Sequence, residues 1–301
     1  MTVTSVEASP QTAIGASPPA EGRSPWAEAW TVFRRNLSAL FGLVLLFAIV
    51  SFVLLGPLIY HVDPFEIVQA PHQPPGSEDV PLGSDYLGRD ILAGLIQGGR
   101  PTLLVGGLAA AISVLIGVTI GAVSGYFGGR VDAMLGRVVE FFQVLPSLLF
   151  TMVIISLFGP SLLVVASAIG VVAWPGMARL TRAEFLRISK LDYVRSSRSA
   201  GASHLRLILA TILPNALPPI IVSATLAAGS AILFEAGLSF LGLGDRNSVS
   251  WGLMIGTSRP YLREAWWTVT LPGTAIFLTV LAISLVGDGL NDAFNPRLRS
   301  R

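Results

Sequence analysis

The sequence predicts an all-α polytopic membrane protein with six transmembrane helices. Of its 301 residues, 52% are hydrophobic and 13% are charged, and the mean hydropathy is +0.68. This composition is too apolar for an ordinary soluble domain. Several windows without any charged residue are long enough to cross a bilayer, which takes about 20 residues. Between two of these windows, residues 179–206 carry nine formal charges, and burying them in a bilayer would cost on the order of 20–30 kcal/mol. We therefore expect this segment to lie in water.

The N-terminal part is expected to be a tail followed by the first span. Residues 1–25 are rich in Ser, Pro, Ala and Thr and lack an apolar core, which is typical of disorder. We predict a cytosolic, mostly disordered tail over residues 1–36. Residues 37–100 are then expected to hold the first transmembrane helix, within the window 36–60, and an extracytoplasmic segment.

The extracytoplasmic segment, residues 61–100, begins with Pro-rich, acidic sequence and continues with a Gly- and Asp-containing motif. The motif residues are Gly83, Asp85, Gly88, Arg89 and Asp90. An amphipathic run follows, containing Ile91, Leu92, Leu95 and Ile96. We expect a turn and then a short interfacial helix. Asp85, Asp90, Asp288 and Asp292 lie at span ends, where aspartates usually cap helices or turns.

The second span, within residues 101–129, carries five small residues at intervals of four. They are Ala109, Ser113, Gly117, Gly121 and Gly125. This spacing puts them on one face of a helix, where small side chains let a second helix approach closely. The sequence leaves open whether that second helix belongs to this chain or to another membrane subunit.

The window 141–178 is too long for one crossing. As a single helix its 38 residues would reach about 57 Å, against a hydrocarbon core of about 30 Å. Gly159-Pro160 near its middle predicts a hairpin turn. With the windows 207–234 and 265–287, six spans result. In the outer loop between these two windows, Trp251, Trp266 and Trp267 are expected to anchor the protein at headgroup depth.

The charged segment predicts both a structure and a membrane orientation. We expect a helix, a break at Gly201, and a second helix from Ser203. If the N-terminus is cytosolic, 15 of the 20 Lys and Arg residues lie on the inner side, so the positive-inside rule favours cytosolic N- and C-termini. Residues 292–301 then form a cytosolic C-terminal tail.

Several function classes are disfavoured by the sequence. Lys190 is the only lysine and no Gly-rich loop precedes it, so a phosphate-binding ATPase motif is absent. There is no cysteine, and His61, His72 and His204 are scattered, which argues against a metal site. The net charge of +2 does not suggest a nucleic-acid partner. An ion-coupled carrier would usually place ionisable residues inside its spans, and the windows contain none. A purely structural membrane subunit remains an alternative.

Short motifs along most of the chain resemble the dipeptide/oligopeptide/nickel permease family, and in particular its C-type subunit. The motifs are Leu82-Gly83-Ser84-Asp85, Gly88-Arg89-Asp90, Gly125-Tyr126-Phe127-Gly128-Gly129, Leu213-Pro214-Asn215, Gly237-Leu238-Ser239-Phe240-Leu241-Gly242-Leu243-Gly244, Ser250-Trp251-Gly252 and Gly287-Asp288-Gly289-Leu290 to Asn295-Pro296-Arg297. In addition, Gly201 followed by Thr211-Ile212-Leu213-Pro214 resembles the signature loop of ABC importer permeases. Arg195-Ser196-Ser197 stands where that loop has Glu-Ala-Ala, so the acidic residue is missing.

The resemblance implies a type I ABC importer permease fold in a bacterial plasma membrane. Residues 101–291 would form the ABC transmembrane domain, with a coupling loop over residues 179–213. The implied coupling residues are Arg195, Ser196, Ser197, Gly201, Ala202, Ser203, Leu213 and Pro214. The implied partners are a homologous permease, two cytosolic ATPase subunits, an extracytoplasmic solute-binding protein and membrane lipid.

The resemblance also implies where the cofactors bind and what is transported. ATP and Mg²⁺ would bind to the ATPase subunits, and this chain would hold no cofactor or metal. The expected cargo is di- or oligopeptides. Nickel, glutathione and oligosaccharides are alternatives within the same family.

Overall fold

The structure, a computed structural model, describes residues 25–294, which are mainly helical and contain no β-strand. The predicted disorder of residues 1–24 and the tail from Asn295 onward lie outside the described residues. The helices are α1 (Pro25–Arg35), α2 (Leu37–Ile59), α3 (Ile91–Phe127), α4 (Gly129–Val144), α5 (Ser147–Phe158), α6 (Leu162–Ile188), α7 (Asp192–Ser199), α8 (His204–Arg206), α9 (Leu213–Phe240), α10 (Trp251–Ser258) and α11 (Trp267–Phe294). A π-helical turn, Leu207–Ile212, joins α8 to α9, and a short 3₁₀ turn, Arg259–Tyr261, follows α10.

Five helices are long and apolar enough to cross a membrane. They are α2, α3, α6, the continuous helix His204–Phe240 and α11. The pair α4 and α5 makes a sixth crossing if the two are counted as one span, although they meet at 85°. The described residues therefore confirm the predicted helical class. They contain five spans, or the predicted six if α4 and α5 are counted as one.

The turn of the hairpin predicted over residues 141–178 is present, but its first arm is not one continuous helix. Gly159 ends α5 with φ of 85°, a left-handed conformation that glycine adopts without strain. The first arm is broken at Leu145-Pro146, because proline forces the preceding residue into extended backbone; the ψ of Leu145 is 128°. The 12 residues of α5 span only about 18 Å, so α5 cannot cross the hydrocarbon core alone.

The predicted short interfacial helix is instead the first part of α3. Asp90 begins the helix by accepting hydrogen bonds from the amides of Leu92 and Ala93, and Pro101 does not interrupt it. Ile91 and Ile96 are buried in the protein, so this stretch does not lie on the membrane surface. At 37 residues, α3 is about 55 Å long and extends beyond the hydrocarbon core.

Part of the expected N-terminal tail is ordered. Residues Pro25–Arg35 form α1, and Phe33 is buried against α11. Asn36 caps α2 and donates a side-chain hydrogen bond of 3.0 Å to Asp292 in α11. The prediction of disorder over residues 1–36 is therefore wrong for residues 25–35, because Ala29 and Phe33 pack in an apolar cluster with residues of α11.

Two of the three expected membrane-anchoring tryptophans lie in the protein core. Trp251 and Trp267 are buried, and their indole N–H groups donate to the carbonyl oxygens of Leu95 and Ser84. Trp266 is 56% exposed, which agrees with contact at the membrane surface. The anchoring interpretation is wrong for the other two, because their N–H groups have found partners inside the protein.

The five-residue small face of α3 lies against α6 of the same chain. A Cβ atom at Gly117 would come within 2.6 Å of Met177 Cβ, and one at Gly125 within 2.7 Å of the Arg182 carbonyl oxygen. Ala109 and Ser113 are buried on the same face. The two helices thus approach each other too closely for larger side chains, as small-residue faces allow.

We predict that Gly121→Leu prevents this close approach. A side chain there would collide with Ala178 and Thr181, and overpacking typically costs about 1–3 kcal/mol. The matched control is Gly107→Leu, in the same helix, where a Cβ atom meets nothing within 4 Å. Thermal unfolding in detergent should show a large loss of stability for Gly121→Leu alone. Equal melting temperatures for the two variants would contradict the packing described here.

Candidate functional site

The candidate coupling loop, residues 179–213, contains the predicted helix, break and second helix. The first helix, α7, ends at Gly201, where φ is 85°. Gly201 N–H donates to Arg198 O at 3.0 Å and Ala202 N–H donates to Ser197 O at 3.1 Å, the two hydrogen bonds of a Schellman cap. Ser203 then caps α8. A second break, unpredicted, separates the end of α6 from α7.

The loop is packed firmly onto the membrane helices. Val194 of α7 is fully buried, and it belongs to one apolar cluster with Phe185 of α6, Tyr126 of α3 and Leu207 and Ile212 of the π turn. Burying each such side chain contributes roughly 1.5–3 kcal/mol. The loop is therefore a fixed extension of α3, α6 and α9.

Tyr126 connects the end of α3 to both helices of the loop. Its hydroxyl lies 2.7 Å from Nδ1 of His204 in α8, and the guanidinium carbon of Arg198 in α7 lies 5.5 Å from its ring centre. Tyr126 belongs to the family motif Gly125-Tyr126-Phe127-Gly128-Gly129, from which no role for its side chain is predicted. Its only sequence signal was an aromatic residue among glycines.

The exposed face of the loop, on the side away from the membrane helices that bury Val194, combines apolar and basic side chains. Arg195 and Ser196 of the predicted coupling set are exposed, whereas Ser197 donates its hydroxyl to Tyr193 O. Leu191, Tyr193 and Leu205 are 39%, 44% and 67% exposed. Exposed apolar side chains beside polar ones are typical of a surface that another protein covers.

Leu213 and Pro214 of the implied coupling set lie inside a continuous helix and form no turn. The helix runs without interruption from His204 to Phe240 and contains the π turn just before Pro214. Proline lacks an amide N–H, and its ring clashes with a regular preceding helical turn. A wider π turn relieves that clash. The side chain of Asn215 donates to Thr211 O at 2.7 Å within this part of the helix.

An ion pair fixes α4 to α6 at the same end of the bundle as the loop. Arg182 Nη2 donates to Asp132 Oδ2 at 2.6 Å, and Ser124 of α3 donates to Asp132 Oδ1 at 2.5 Å. Charge-assisted, two-pronged pairs of this type hold their partners in a defined orientation. The pair joins residues 50 positions apart, which no local sequence pattern reveals.

The motif predicted to be extracytoplasmic is a structural turn in front of α3. Asp85 accepts hydrogen bonds of 2.8 Å from the amides of Leu87 and Arg89, so it caps the turn as predicted. Gly83 and Gly88 occupy positive-φ positions in this turn, and Arg89 lies over the Phe65 ring. No group of acidic residues or histidines that could hold a metal occurs in the described part of the chain.

Tyr60 ties the end of α2 to this turn by donating its hydroxyl to Asp90. Burial, followed by that hydrogen bond, raises the pKa of the Tyr60 phenol above its ordinary value, so it remains a donor at physiological pH.

The helices are longer than the charge-free windows and contain ionisable groups. Arg100 of α3 donates to the carbonyl oxygens of Val53 and Leu54 in α2. Glu235 of α9 is 3% exposed and accepts a 2.6 Å hydrogen bond from Ser239. The expectation of spans without charge is thus wrong for the full helices, because charge-free windows do not mark where a helix ends.

Comparisons with known proteins identify the family. Residues 117–300 match the family model described as binding-protein-dependent transport system inner membrane component. Residues 24–75 match the model of the N-terminal transmembrane domain of oligopeptide transport permease C. The chain belongs to the binding-protein-dependent transport permeases. It is therefore an integral permease of the bacterial inner membrane, as the sequence motifs predicted.

Three relatives are similar over nearly the whole chain. The di/tripeptide transport system permease protein DppC of Pseudomonas aeruginosa is 41% identical, over 92% of this chain and 94% of its own. The dipeptide transport system permease protein DppC of Escherichia coli K12 is 42% identical over 92% and 94%. The protein of the same name from Haemophilus influenzae is 39% identical over 92% and 96%.

Among solved structures, the inward-facing MetNI methionine ABC transporter is similar with a TM-score of 0.58. The sequence identity is 19%, and the match covers 67% of this chain and 96% of that one. This likeness confirms the predicted ABC importer permease fold.

We predict that the Tyr126 hydroxyl stabilises the loop. Tyr126→Phe removes one hydrogen bond, worth about 1 kcal/mol, and should raise trypsin cleavage after Arg198 by about fivefold in the detergent-solubilised protein, since local opening governs cleavage. Tyr193→Phe is the matched control, because Tyr193 is exposed on the same loop. Indistinguishable cleavage of the two variants and the native chain would argue against the role given to Tyr126.

Proposed function

We propose that this chain is one of two permease subunits of an ATP-driven importer of dipeptides and short oligopeptides. The observation that carries the proposal is the similarity to relatives named as di/tripeptide and dipeptide permeases, at about 40% identity over nine-tenths of the chain. The other subunits are a homologous permease, two cytosolic ATPase subunits and an extracytoplasmic solute-binding protein. The coupling loop and both termini lie in the cytosol.

The ATPase subunits act on this chain through the exposed face of the coupling loop. The ATPase subunits bind ATP and Mg²⁺ and close on each other, and this chain neither hydrolyses ATP nor binds a cofactor. Their closure moves α7. Because Val194 and Leu207 join the loop to α3 and α6 in one buried cluster, the motion passes to the membrane helices, which alternate between inward-open and outward-open states.

The docking contact does not use the acidic residue of the family signature. Arg195 replaces it, and Arg198 and Arg206 add further positive charge. Leu191 and Leu205 supply exposed apolar area beside them. The complementary groove on the ATPase subunit is therefore apolar with an acidic rim, since opposite charges across an interface direct association.

Reconstitution of the full complex in proteoliposomes tests the cargo. We expect ATP hydrolysis to be stimulated by the binding protein loaded with dialanine, together with uptake of labelled dialanine. Import of nickel without any peptide-stimulated ATP hydrolysis would refute the peptide assignment. Uptake by this chain alone, driven by a proton or sodium gradient, would instead favour an ion-coupled carrier, in which Glu235 would be the first residue to test.

We predict that Gly201→Glu uncouples ATP hydrolysis from uptake. Gly201 is exposed and a Cβ atom there meets nothing within 4 Å, so the new charge is tolerated by this chain and lies on the proposed docking surface. Uptake should fall at least about tenfold, equivalent to 1.4 kcal/mol, while insertion and basal ATP hydrolysis persist.

Gly201→Ala is the control, because it imposes the same left-handed backbone cost of about 1–2 kcal/mol without bulk or charge. It should retain most of the uptake. Normal transport by Gly201→Glu would remove the coupling role of this turn.

A further inference from the structure

A cavity of about 370 Å³ lies between α3, α6 and α9. Ala109, Gly176 and Ala227 line it, and each is within about one residue of the middle of its helix. The cavity therefore lies near mid-depth of the bundle, where transporters commonly hold their substrates. Its volume is in the range of small-molecule sites, about 300–1,000 Å³.

Four serine hydroxyls face this cavity without a hydrogen-bond partner in the described part of the chain. They belong to Ser113, Ser147, Ser223 and Ser230. Hydroxyls in apolar helices usually donate to the carbonyl four residues earlier, as Thr151 does here at 2.8 Å. Ser113 is the most informative, because it is only 2% exposed and still lacks a partner. Because Ser113 lines the cavity, a polar ligand there can pair with its hydroxyl.

The rest of the lining is small and uncharged. Most of the other lining residues are Ala, Ile, Val and Leu, and none is Asp, Glu, Lys or Arg. At Gly176 the lining has no side chain at all, and a Cβ atom there meets nothing within 4 Å. The cavity thus offers hydroxyl groups and space but no fixed charge.

We infer that this cavity is a subsite of the translocation path, in which the unpartnered serine hydroxyls bind the main-chain amides of an extended peptide. The inference rests on the proposed function and adds the residues that the peptide contacts. An extended peptide carries N–H and C=O groups that need partners once water is removed. Serine hydroxyls both donate and accept, so they suit either group.

A transmembrane helix of the partner permease fits the cavity less well. The backbone groups of a helix are already bonded within the helix, so the main chain of such a helix offers no partner to these hydroxyls. An unpaired buried polar group costs about 1–3 kcal/mol. A peptide main chain removes that cost.

The absence of charge shapes the specificity of this subsite. The charged ends of a peptide find no partner in the cavity, and side chains of different kinds meet only small neutral groups. Binding is therefore weak and tolerant of sequence, as passage through a path requires. Selection among peptides then takes place outside this subsite.

The decisive variant is Gly176→Leu, because a Cβ atom at this lining position meets nothing within 4 Å and the added side chain takes up space in the cavity. The control is Gly107→Leu, which also adds a side chain in open space, in α3 but outside the cavity lining. Each variant is reconstituted with the other subunits, and three quantities are measured: co-purification of the second permease, ATP hydrolysis stimulated by the loaded binding protein, and uptake of labelled trialanine.

We expect Gly176→Leu to assemble and to hydrolyse ATP, while trialanine uptake falls at least about tenfold (1.4 kcal/mol). Gly176→Ala should give a smaller loss, and Gly107→Leu should transport normally. Failure of Gly176→Leu to assemble would mean that the partner permease occupies the cavity, and unchanged uptake would mean that peptides do not pass through it. Either result overturns the inference. If the unmodified complex imports no trialanine, the proposed function itself fails.

A second measurement uses the lack of cysteine in this chain. Ser230→Cys introduces one thiol at the cavity, and Ser167→Cys introduces one on α6 outside the cavity, where it lines a different groove. A water-soluble thiol reagent should modify the thiol of Ser230→Cys, and the modification should be slower while trialanine is being transported. The reagent should stop trialanine uptake by Ser230→Cys but not by Ser167→Cys. Complete protection of the thiol at 230 with and without ATP would contradict the inference.

Discussion

The close approach of α3 and α6 is the constraint on which the rest of the structure depends. It exists because Gly117, Gly121 and Gly125 have no side chain where α6 crosses them, so backbone atoms of the two helices come into contact. Without a hydrophobic driving force inside the bilayer, such contact is a main source of helix association. The same pair then carries two features at different depths. The serine-lined cavity lies at mid-depth, and the buried cluster that holds the coupling loop lies at one end.

This shared pair gives a physical route between the loop and the cavity. Phe185 of α6 and Tyr126 of α3 belong to the cluster that buries Val194 of the loop, while Ser113 and Gly176 of the same two helices line the cavity. Tightly packed cores do not deform continuously, so they shift as units between discrete arrangements. We therefore expect a displacement imposed on α7 to move both helices and to change the walls of the cavity. The Asp132–Arg182 pair extends the same unit to α4.

The sequence predicted the features that depend on local chemistry. Charge-free windows located the spans, and Gly159 and Gly201 marked left-handed turns at the ends of α5 and α7, because few other residues adopt that backbone. Features that depend on distant contacts were missed. The membrane is as apolar as a protein core, so composition could not show that Trp251 and Trp267 are buried in the protein and not in lipid. The bond between Tyr126 and His204 joins residues 78 positions apart. Glu235 was overlooked because hydropathy does not show where a helix ends.

The central claim is that the loop around Gly201 is moved by ATPase subunits on the cytosolic side. Photo-crosslinking from a benzophenone amino acid at Ser196, which is exposed on α7, tests it most directly in membranes that contain the whole complex. The account predicts a covalent adduct with an ATPase subunit. The yield of this adduct should change when ATP is trapped in the ATPase subunits. An adduct with the extracytoplasmic binding protein, or no adduct with any ATPase subunit, would contradict the account.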